Sequence, residues 1–239
     1  MVEELLAKAT QTILSEVDGT AARTFERRQS LRDHMVHMPK EIREAPGIQI
    51  FGRTIRAIAA TTDIAVICNI DADAIMSVYP YTPQTAITRV IAEVAPCPVF
   101  AGVGGGLTDG LRSWNMGNYA EQMGAFGVVV NSGASEETIM GLRAVLEIPV
   151  IATVASGEVD YAARLRAGAD ILNVACGKET ADVVRRIRRD FPDVKIIATG
   201  GSKAEGILRA IEAGADAISW SPRSSIDSFK DTMAAYRNE

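Results

Sequence analysis

The sequence predicts an α/β protein of the (β/α)8 TIM-barrel class with an N-terminal helical extension. Three observations support this prediction. The length of 239 residues suits a single barrel domain. Apolar residues make up 47% of the chain and aromatic residues only 5%, as expected for buried parallel strands covered by helices. Short apolar runs alternate with helical stretches along the chain, which is the order of repeated βα units.

Two short patterns alternate along the chain. The segments "CPVFAGV", "IPVIATV" and "VKIIATG" share one pattern, and "MGAFGVVVN", "AGADILNVA" and "AGADAISWS" share the other. Each run is bounded by Gly or Pro and precedes a helical stretch. The predicted strands lie at 48–51, 64–69, 99–103, 127–131, 150–154, 171–175, 195–199 and 217–221. Eight such units indicate a closed barrel, and a doubly wound open sheet is the alternative.

Residues 1–45 precede the repeated units and predict a helical extension packed on the barrel of residues 46–239. Residues 2–16 place apolar side chains at helical spacing, and a second helical stretch follows Asp18. We interpret its arginines as a solvated helix face, with a lid or a subunit contact as alternatives. His34 and His37 lie three apart on this predicted helix and are interpreted as structural. A homo-oligomer is an alternative to a monomer.

Composition and charge exclude several classes of protein. The formal net charge of -5 gives no general attraction to nucleic acid or to an anionic membrane. No apolar run approaches about 18 residues, and the N-terminus lacks the pattern of a secretion signal. Cys68, Cys97 and Cys176 show no metal-binding spacing and are expected to be reduced. We therefore expect a soluble, cytoplasmic protein without nucleic-acid or membrane partners.

The loops after the last two predicted strands form the predicted phosphate site. In a barrel, chemistry gathers where strands end and βα loops begin. Paired glycines let backbone N–H groups approach an anion at the start of a helix, and serine hydroxyls follow the next strand. The predicted phosphate ligands are Gly200, Gly201, Ser202, Ser219, Ser221 and Arg223. The alternative is that the glycines only form a tight turn.

The residues of this predicted phosphate site, and an earlier stretch of the chain, resemble segments of known barrel proteins. The stretch "IIATGGSKAEGILRAIEAGADAISWSP", residues 196–222, resembles the last βαβ unit of the phosphate-binding TIM barrels, a superfamily of ribulose-phosphate binders, tryptophan-pathway barrels and small aldolases. That resemblance implies that the phosphate of a small substrate binds to these loops. Residues 63–103, with "DIAVICN" and "YPYTPQTAITRVIAEVAPCPVFAGV", resemble the corresponding stretch of the phosphoenolpyruvate hydrolase-like TIM-barrel family.

Asp71 and Asp73 are the first candidates for chemistry. They follow the second predicted strand, where two carboxylates on a loop can share a Mg²⁺ ion or act as a base. A plain loop or a helix cap is the alternative interpretation. The loop of Gly104, Gly105 and Gly106 predicts a second anion nest or a lid hinge. It lacks the spacing of a dinucleotide site, so NAD is not expected.

Four further residues lie at predicted strand ends or in the loops beyond them, and Lys178, Asn131 and Glu158 are catalytic candidates among them. Lys178 follows the sixth predicted strand, in the region where class I aldolases similar to this superfamily carry a Schiff-base lysine. Because Gly177 separates it from the strand, we expect a cation that stabilises enolate or phosphate charge rather than a covalent role. A solvated loop lysine is the alternative. Asn131 and Glu158 could orient the substrate, as could Asn173.

Taken together, these features predict an enzyme that acts on a small phosphorylated metabolite, a sugar phosphate or a phosphorylated 2-oxo acid. Lyase or hydrolase cleavage is the expected reaction, with Asp71 as base or metal ligand and Lys178 as the cation. A sugar-phosphate isomerase or epimerase is the first alternative. A barrel that binds and senses a phosphorylated ligand without catalysis is the second, because no acid–base pair is obvious.

Overall fold

A computed structural model describes residues 35–105 and 107–237. The predicted helices of residues 1–34, with their arginines and His34, lie outside the described residues. The chain from His37 onward belongs to one compact unit. In it, a 3-10 helix at Lys40–Glu44 buries Ile42 fully.

A two-stranded hairpin precedes the barrel. β1 (Ile48–Ile50) pairs antiparallel with β2 (Arg53–Ile55), and Phe51 and Gly52 form the turn with φ of 47° and 76°. Three side chains of the hairpin, Ile48, Ile50 and Ile55, are buried in the same apolar cluster as the barrel interior. The hairpin therefore closes the amino end of the barrel.

Eight parallel strands form a closed barrel, which confirms the predicted fold class. The strands are β3 (Ala57–Ala60), β4 (Ala74–Ser77), β5 (Val99–Gly104), β6 (Gly127–Val130), β7 (Val150–Val154), β8 (Ile171–Val174), β9 (Lys195–Thr199) and β10 (Ala217–Trp220). Each strand pairs with its neighbour along the chain, and β10 pairs with β3 to close the ring.

Helices follow the strands around the barrel. They are α1 (Ile64–Ile67), α2 (Thr85–Val94), α3 (Leu111–Gln122), α4 (Glu136–Val145), α5 (Tyr161–Arg166), α6 (Thr180–Asp190), α7 (Ala204–Glu212) and α8 (Ser225–Arg237). A 3-10 turn at Gly177–Glu179 leads into α6. Within residues 35–105 and 107–237, every helix is too short or too polar to cross a membrane.

The first two predicted strands are not barrel strands. Residues 48–51 do contain a strand, β1, but it belongs to the hairpin, and the run at 64–69 contains helix α1. The cause is local: Asp63 caps this helix, because its carboxylate accepts hydrogen bonds from the N–H groups of Ala65 at 3.0 Å and Val66 at 3.3 Å. The cap overrides the strand preference of an apolar, β-branched run. The first two barrel strands are instead β3 and β4.

Three aspartates that directly precede barrel strands make the same kind of contact. Each stands directly before a strand and accepts a hydrogen bond from an N–H at the start of the preceding strand. Asp73 accepts from Ala57 at 2.9 Å. Asp170 accepts from Val150 at 2.9 Å, and Asp216 accepts from Ile196 at 2.8 Å, so all three carboxylates lie at the amino end of the barrel.

Candidate functional site

A cavity of about 670 Å³ opens at the carboxyl end of the barrel. Its lining comes from the upper ends of all eight barrel strands and from the loops that follow several of them. The floor is the apolar barrel interior, which includes Met76 and Val129. A cavity in this volume range holds a small organic molecule, and the carboxyl end is where barrel proteins place their sites.

One half of the cavity wall is polar. Thr153, Asn173, Thr199 and Ser219 line the cavity from the four consecutive strands β7 to β10, with Thr153 level with Asn173 and Thr199 level with Ser219. They form two pairs: the Asn173 amide donates to Thr153 Oγ1 at 3.3 Å, and the hydroxyl oxygens of Thr199 and Ser219 are 3.1 Å apart. This polar wall can bind oxygen atoms and N–H groups of a ligand without fixed charge.

The loops after β4 and β5 give the opposite half of the wall its large apolar side chains. The loop after β4 contributes Val78, Tyr79, Pro80, Tyr81 and Pro83, and the loop after β5 contributes Leu107. Tyr79 is held in place because its hydroxyl oxygen accepts a hydrogen bond from the Gln84 N–H at 2.9 Å. The tyrosine ring at position 81 is 77% exposed and Leu107 is fully exposed, so both can cover a bound ligand.

Two glycines allow the loop after β5 to approach its neighbour. Gly104 and Gly105 have φ of +120° and +115°, and a Cβ at Gly105 would lie 2.3 Å from Asn131 Oδ1. The Asn131 amide donates to the Gly105 carbonyl at 3.0 Å, while its own carbonyl accepts from the Gly133 N–H at 2.9 Å. Asn131 therefore lines the cavity as a structural link between two loops.

The cavity lining is neutral. The described residues that line it include no aspartate, glutamate, lysine, arginine, histidine or cysteine. In the described part of the chain, no three side chains of histidine, cysteine, aspartate or glutamate are grouped so that they could hold a metal ion. Because Mg²⁺ prefers carboxylate oxygens, these residues do not fit a magnesium site in the cavity.

The predicted phosphate residues divide into two sets. Ser219 and Ser221 line the cavity, whereas Gly200, Gly201, Ser202 and Arg223 stand outside the lining. Arg223 is exposed and pairs with Asp231 at 2.6 Å on α8. Gly200 has a packing role, since a Cβ there would lie 2.7 Å from Ile207 Cγ1 and 2.8 Å from Ile218 Cγ2.

The start of α7 keeps the features of an anion site. Lys203, at the N-cap, makes no side-chain hydrogen bond to the helix. Among the described residues, no acceptor is bonded to the N–H groups of Gly201, Ser202 or Ala204. Free N–H groups and the positive end of the helix dipole attract an anion, and Ser219 and Ser221 lie on and directly after the adjacent strand β10.

Asp71 and Asp73 lie at the opposite end of the barrel, so their predicted placement after a strand is wrong. They precede β4, and both carboxylates already accept hydrogen bonds from neighbouring residues. Asp71 accepts hydrogen bonds from the Met38 N–H at 2.7 Å and contacts His37 Nδ1 at 3.0 Å. Asp73 accepts from Arg43 at 2.8 Å as well as from the start of β3.

The pKa of Asp71 reflects this environment. Its partial burial would raise the pKa, but the Met38 N–H, the His37 side chain and the charge of Arg43 outweigh burial and lower it. A carboxylate with a lowered pKa is a weak base, so the site favours a structural ion pair over general-base chemistry. The placement separates both aspartates from every other predicted site residue.

Lys178 and Glu158 also lie outside the cavity lining. Both side chains are exposed, Lys178 in the 3-10 turn before α6 and Glu158 in the loop after β7. The structure therefore brings Asn131, Ser219 and Ser221 together with Asn173, and it does not bring the two charged candidates to them.

Two other aspartates lie in loops at the carboxyl end, where they hold loops together. One Asp63 oxygen caps α1, and the other accepts from the Ser225 N–H and hydroxyl, both at 2.7 Å. Asp109 accepts from the Ser135 N–H at 3.2 Å and from the Thr138 hydroxyl. In each case burial would raise the pKa of the carboxyl, but these hydrogen bonds lower it.

A second cavity, of about 180 Å³, lies near the amino end around Cys97 and Phe126. Burial, with a smaller contribution from the charge of Asp73, raises the pKa of the Cys97 thiol to about 11. A thiol with this pKa is protonated at neutral pH and is a poor nucleophile. The cavity therefore holds no activated cysteine.

Sequence reasoning named Asn173 and Ser219 but missed Thr153 and Thr199, although the strands contain a signal for all four residues of the polar wall. Four runs place a hydroxyl or amide residue two positions after a buried apolar one: Ile151 and Thr153, Ile171 and Asn173, Ile197 and Thr199, Ala217 and Ser219. Because side chains two apart on a strand share a face, each polar residue continues the inward row. That alternation could have identified Thr153 and Thr199.

No family model matches this sequence, and no curated protein matches it. The structure is similar to phosphonopyruvate hydrolase in complex with oxalate and Mg²⁺, with a TM-score of 0.61, 14% identity, and coverage of 77% of this chain and 83% of that one. It is similar to 2,3-dimethylmalate lyase, a PEP mutase/isocitrate lyase superfamily member, with a TM-score of 0.58, 15% identity, and coverage of 87% and 84%.

At these identities the likeness establishes the fold alone. A mandelate oxidase variant has a comparable TM-score of 0.57 at 17% identity, with coverage of 79% of this chain and 70% of that one, so the same barrel serves different chemistries. The first two neighbours agree, at the level of fold, with the predicted resemblance to phosphoenolpyruvate hydrolase-like barrels. The resemblance to the ribulose-phosphate-binding superfamily stays a prediction.

Proposed function

We propose that this barrel binds a small phosphorylated metabolite in the carboxyl-end cavity and cleaves it in a lyase or hydrolase reaction. The observation that carries the proposal is the junction of the β9 and β10 loops. There the N–H groups of Gly201, Ser202 and Ala204, which have no acceptor among the described residues, follow β9, and Ser219 and Ser221 lie on and directly after the neighbouring strand β10. This combination matches the acceptor oxygens of a phosphate group.

The neutral cavity lining suits an anionic ligand. A carboxylate about 4 Å from a phosphate charge would oppose binding by about 4 kcal/mol at the effective dielectric near a protein surface. The described lining residues contain no such group. Attraction to the phosphate then comes from N–H and O–H dipoles and from exposed Lys203 beside them.

The proposed reaction uses the neutral residues of the cavity. Hydroxyl groups of Thr153 and Thr199 can donate to an oxygen on which negative charge develops during cleavage. The cavity-lining groups that can exchange a proton are the phenols of Tyr79 and Tyr81. We therefore assign these two tyrosines as the candidate acid–base groups in place of Asp71 and Lys178. No step is assigned to a metal ion.

A ligand-sensing barrel without catalysis is the second candidate, and the neutral lining favours it. Cleavage and isomerisation both need positioned acid–base groups, and the described lining offers only tyrosines for that role. Two similar structures are named as a hydrolase and a lyase, which supports the enzyme as the first candidate. Both candidates share the phosphate site.

A charge-reversal experiment tests the shared phosphate site. Gly201 has φ of +70°, and a Cβ there meets no atom within 4 Å, so Gly201→Asn and Gly201→Asp should strain the backbone alike and differ mainly in charge. With glycerol 3-phosphate as titrant, we expect calorimetry to show affinity about tenfold weaker for the aspartate variant than for the asparagine variant.

A matched control lies at the other end of the barrel. Gly52 has φ of +76° in the hairpin turn and no atom within 4 Å of a Cβ, so Gly52→Asp adds the same charge in a similar conformation. It should leave the affinity for glycerol 3-phosphate within about twofold of the wild-type value. Equal affinities of the Gly201→Asp and Gly201→Asn variants would refute the phosphate site.

Turnover separates the two candidates. The protein is incubated with a panel of phosphorylated 2-oxo acids and sugar phosphates, and ³¹P NMR follows new phosphorus signals. A product that forms with wild-type protein and at least about tenfold more slowly with Tyr79→Phe supports cleavage with that tyrosine in an acid–base role. Binding of a panel member without any product supports the sensor.

A further inference from the structure

Asn173 has a property that the proposed function does not use. The residue is 6% exposed, and its Oδ1 is buried without a hydrogen-bond partner among the described residues. Its other amide atom, Nδ2, already donates to Thr153. A buried carbonyl oxygen without a donor is unfavourable, so an unpartnered one in a cavity wall indicates that a ligand or water supplies the missing donor.

The position of Asn173 directs that oxygen toward a ligand. Asn173 lies on β8 two residues after Ile171, whose side chain is part of the barrel interior, and it lines the 670 Å³ cavity. The Thr199 and Ser219 hydroxyls bond to each other at 3.1 Å, and neither bonds to Asn173 Oδ1. Asn173 Oδ1 is therefore an acceptor at the base of the polar wall.

We propose that Asn173 is a specificity residue, whose side-chain carbonyl accepts a hydrogen bond from a hydroxyl or amine group of the bound metabolite. This inference rests on the proposed function, since it adds a second contact to a ligand already held by its phosphate. It narrows the substrate class to phosphorylated compounds that carry a donor group. A ligand that offers only acceptor oxygens at this point would meet repulsion from Oδ1.

Three phosphate esters of similar length test the assignment by calorimetry. Glycerol 3-phosphate carries hydroxyl donors, propyl phosphate carries no polar group beyond the phosphate, and acetol phosphate carries only a carbonyl acceptor. Wild-type protein should bind glycerol 3-phosphate about fivefold more tightly than either of the other two. In Asn173→Leu and Asn173→Ala, this preference should disappear.

The control is Asn115→Leu, the same chemical change at an exposed position on α3. It should keep the wild-type preference for glycerol 3-phosphate. Equal binding of all three esters by wild-type protein, or a preference for acetol phosphate, overturns the assignment of Asn173 while leaving the phosphate site intact. A preference that persists in both Asn173 variants overturns it as well.

A melting experiment tests Asn173 without any ligand. Asn173→Leu removes the unpartnered oxygen together with the 3.3 Å hydrogen bond to Thr153, at a position that borders open volume, so the melting temperature should stay about equal or rise. A lower melting temperature, or failure to fold, would show that Oδ1 stabilises the fold and overturns the assignment. If none of the three esters binds, the phosphate proposal fails, and this melting result alone decides the role of Asn173.

Discussion

At the amino end of the barrel, carboxylates occupy fixed places: Asp73, Asp170 and Asp216 accept strand N–H groups, and Arg43 and Arg188 pair with two of them at 2.8 Å. At the carboxyl end, the cavity is lined by hydroxyl, amide, aromatic and aliphatic groups, and none of its described lining residues is charged at neutral pH. The nearby Asp63 and Asp109 instead hold loops.

The difference follows from what each end has to satisfy. Strand starts leave N–H groups that need acceptors, and a carboxylate can accept two or more of them while an arginine balances its charge. A binding cavity for an anion has the opposite need, because a carboxylate in its wall would repel the ligand. Charge therefore stabilises one end of this barrel, and neutral dipoles are available for binding at the other.

The largest expected effect is at Asp73. Asp73→Ala leaves the N–H groups of Arg56 and Ala57 and the Arg43 guanidinium without this acceptor. We expect the free energy of unfolding to fall by about 2–4 kcal/mol, because a partly buried charged acceptor with several donors is lost. Urea unfolding followed by circular dichroism measures it.

A matched control is Asp182→Ala. Asp182 is 75% exposed and pairs with Arg185 at 2.8 Å on the surface of α6, so its removal should change the free energy of unfolding by less than about 0.5 kcal/mol. If Asp73→Ala is as stable as this control but loses ligand binding, Asp73 belongs to a functional site and the contrast between the two ends fails.

The sequence pattern predicted the closed barrel and the six strands from β5 onward, because each of those strands is an apolar run bounded by Gly or Pro. It failed at β4, although "ADAIMS" at 72–77 repeats "ADAISW" at 215–220. That repeat places Asp73 in the same strand-starting position as Asp216. Because the second barrel strand was predicted at 64–69 and lies at Ala74–Ser77, Asp71 and Asp73 were predicted at the carboxyl end and lie at the amino end.

The candidate site was predicted in part, and the missing part depends on three-dimensional packing. Ser219 and Ser221 were placed correctly because they continue a strand into its loop. Whether Lys178 reaches the cavity depends on the turn at Gly177–Glu179, which the sequence pattern does not define. The packing role of Gly200 depends on contacts with Ile207 and Ile218 from two other elements.

A smaller effect is expected at Asp63, the carboxylate that joins α1 to α8 at the carboxyl end. Its pKa in the folded protein is lowered from 3.8, so its ionised form stabilises the fold above about pH 4, and this contribution is lost as the pH falls through the lowered value. Asp63→Ala should reduce the free energy of unfolding by about 1–2 kcal/mol at pH 7.

The pH dependence identifies the charge as the cause. The difference between wild-type protein and Asp63→Ala should shrink as the pH falls below about 4, where the carboxylate of the unfolded chain becomes protonated, and should disappear as the pH falls through the lowered pKa of the folded protein. Urea unfolding at pH 7, 5, 4 and 3 measures that difference. A difference that stays constant over this range would mean that Asp63 acts through packing, and that charge at this end has no structural role.

The central claim is that phosphate binds at the carboxyl end, between the start of α7 and the serines at the end of β10. Amide ¹H–¹⁵N NMR during a titration with glycerol 3-phosphate tests it most directly. We expect the largest shifts at Gly200, Gly201, Ser202 and Ala204, with further shifts at Ser219 and Ser221, while the amides of Arg56, Ala57 and Asp73 stay unchanged. Shifts confined to the amino end, or none at saturating ligand, would contradict the account.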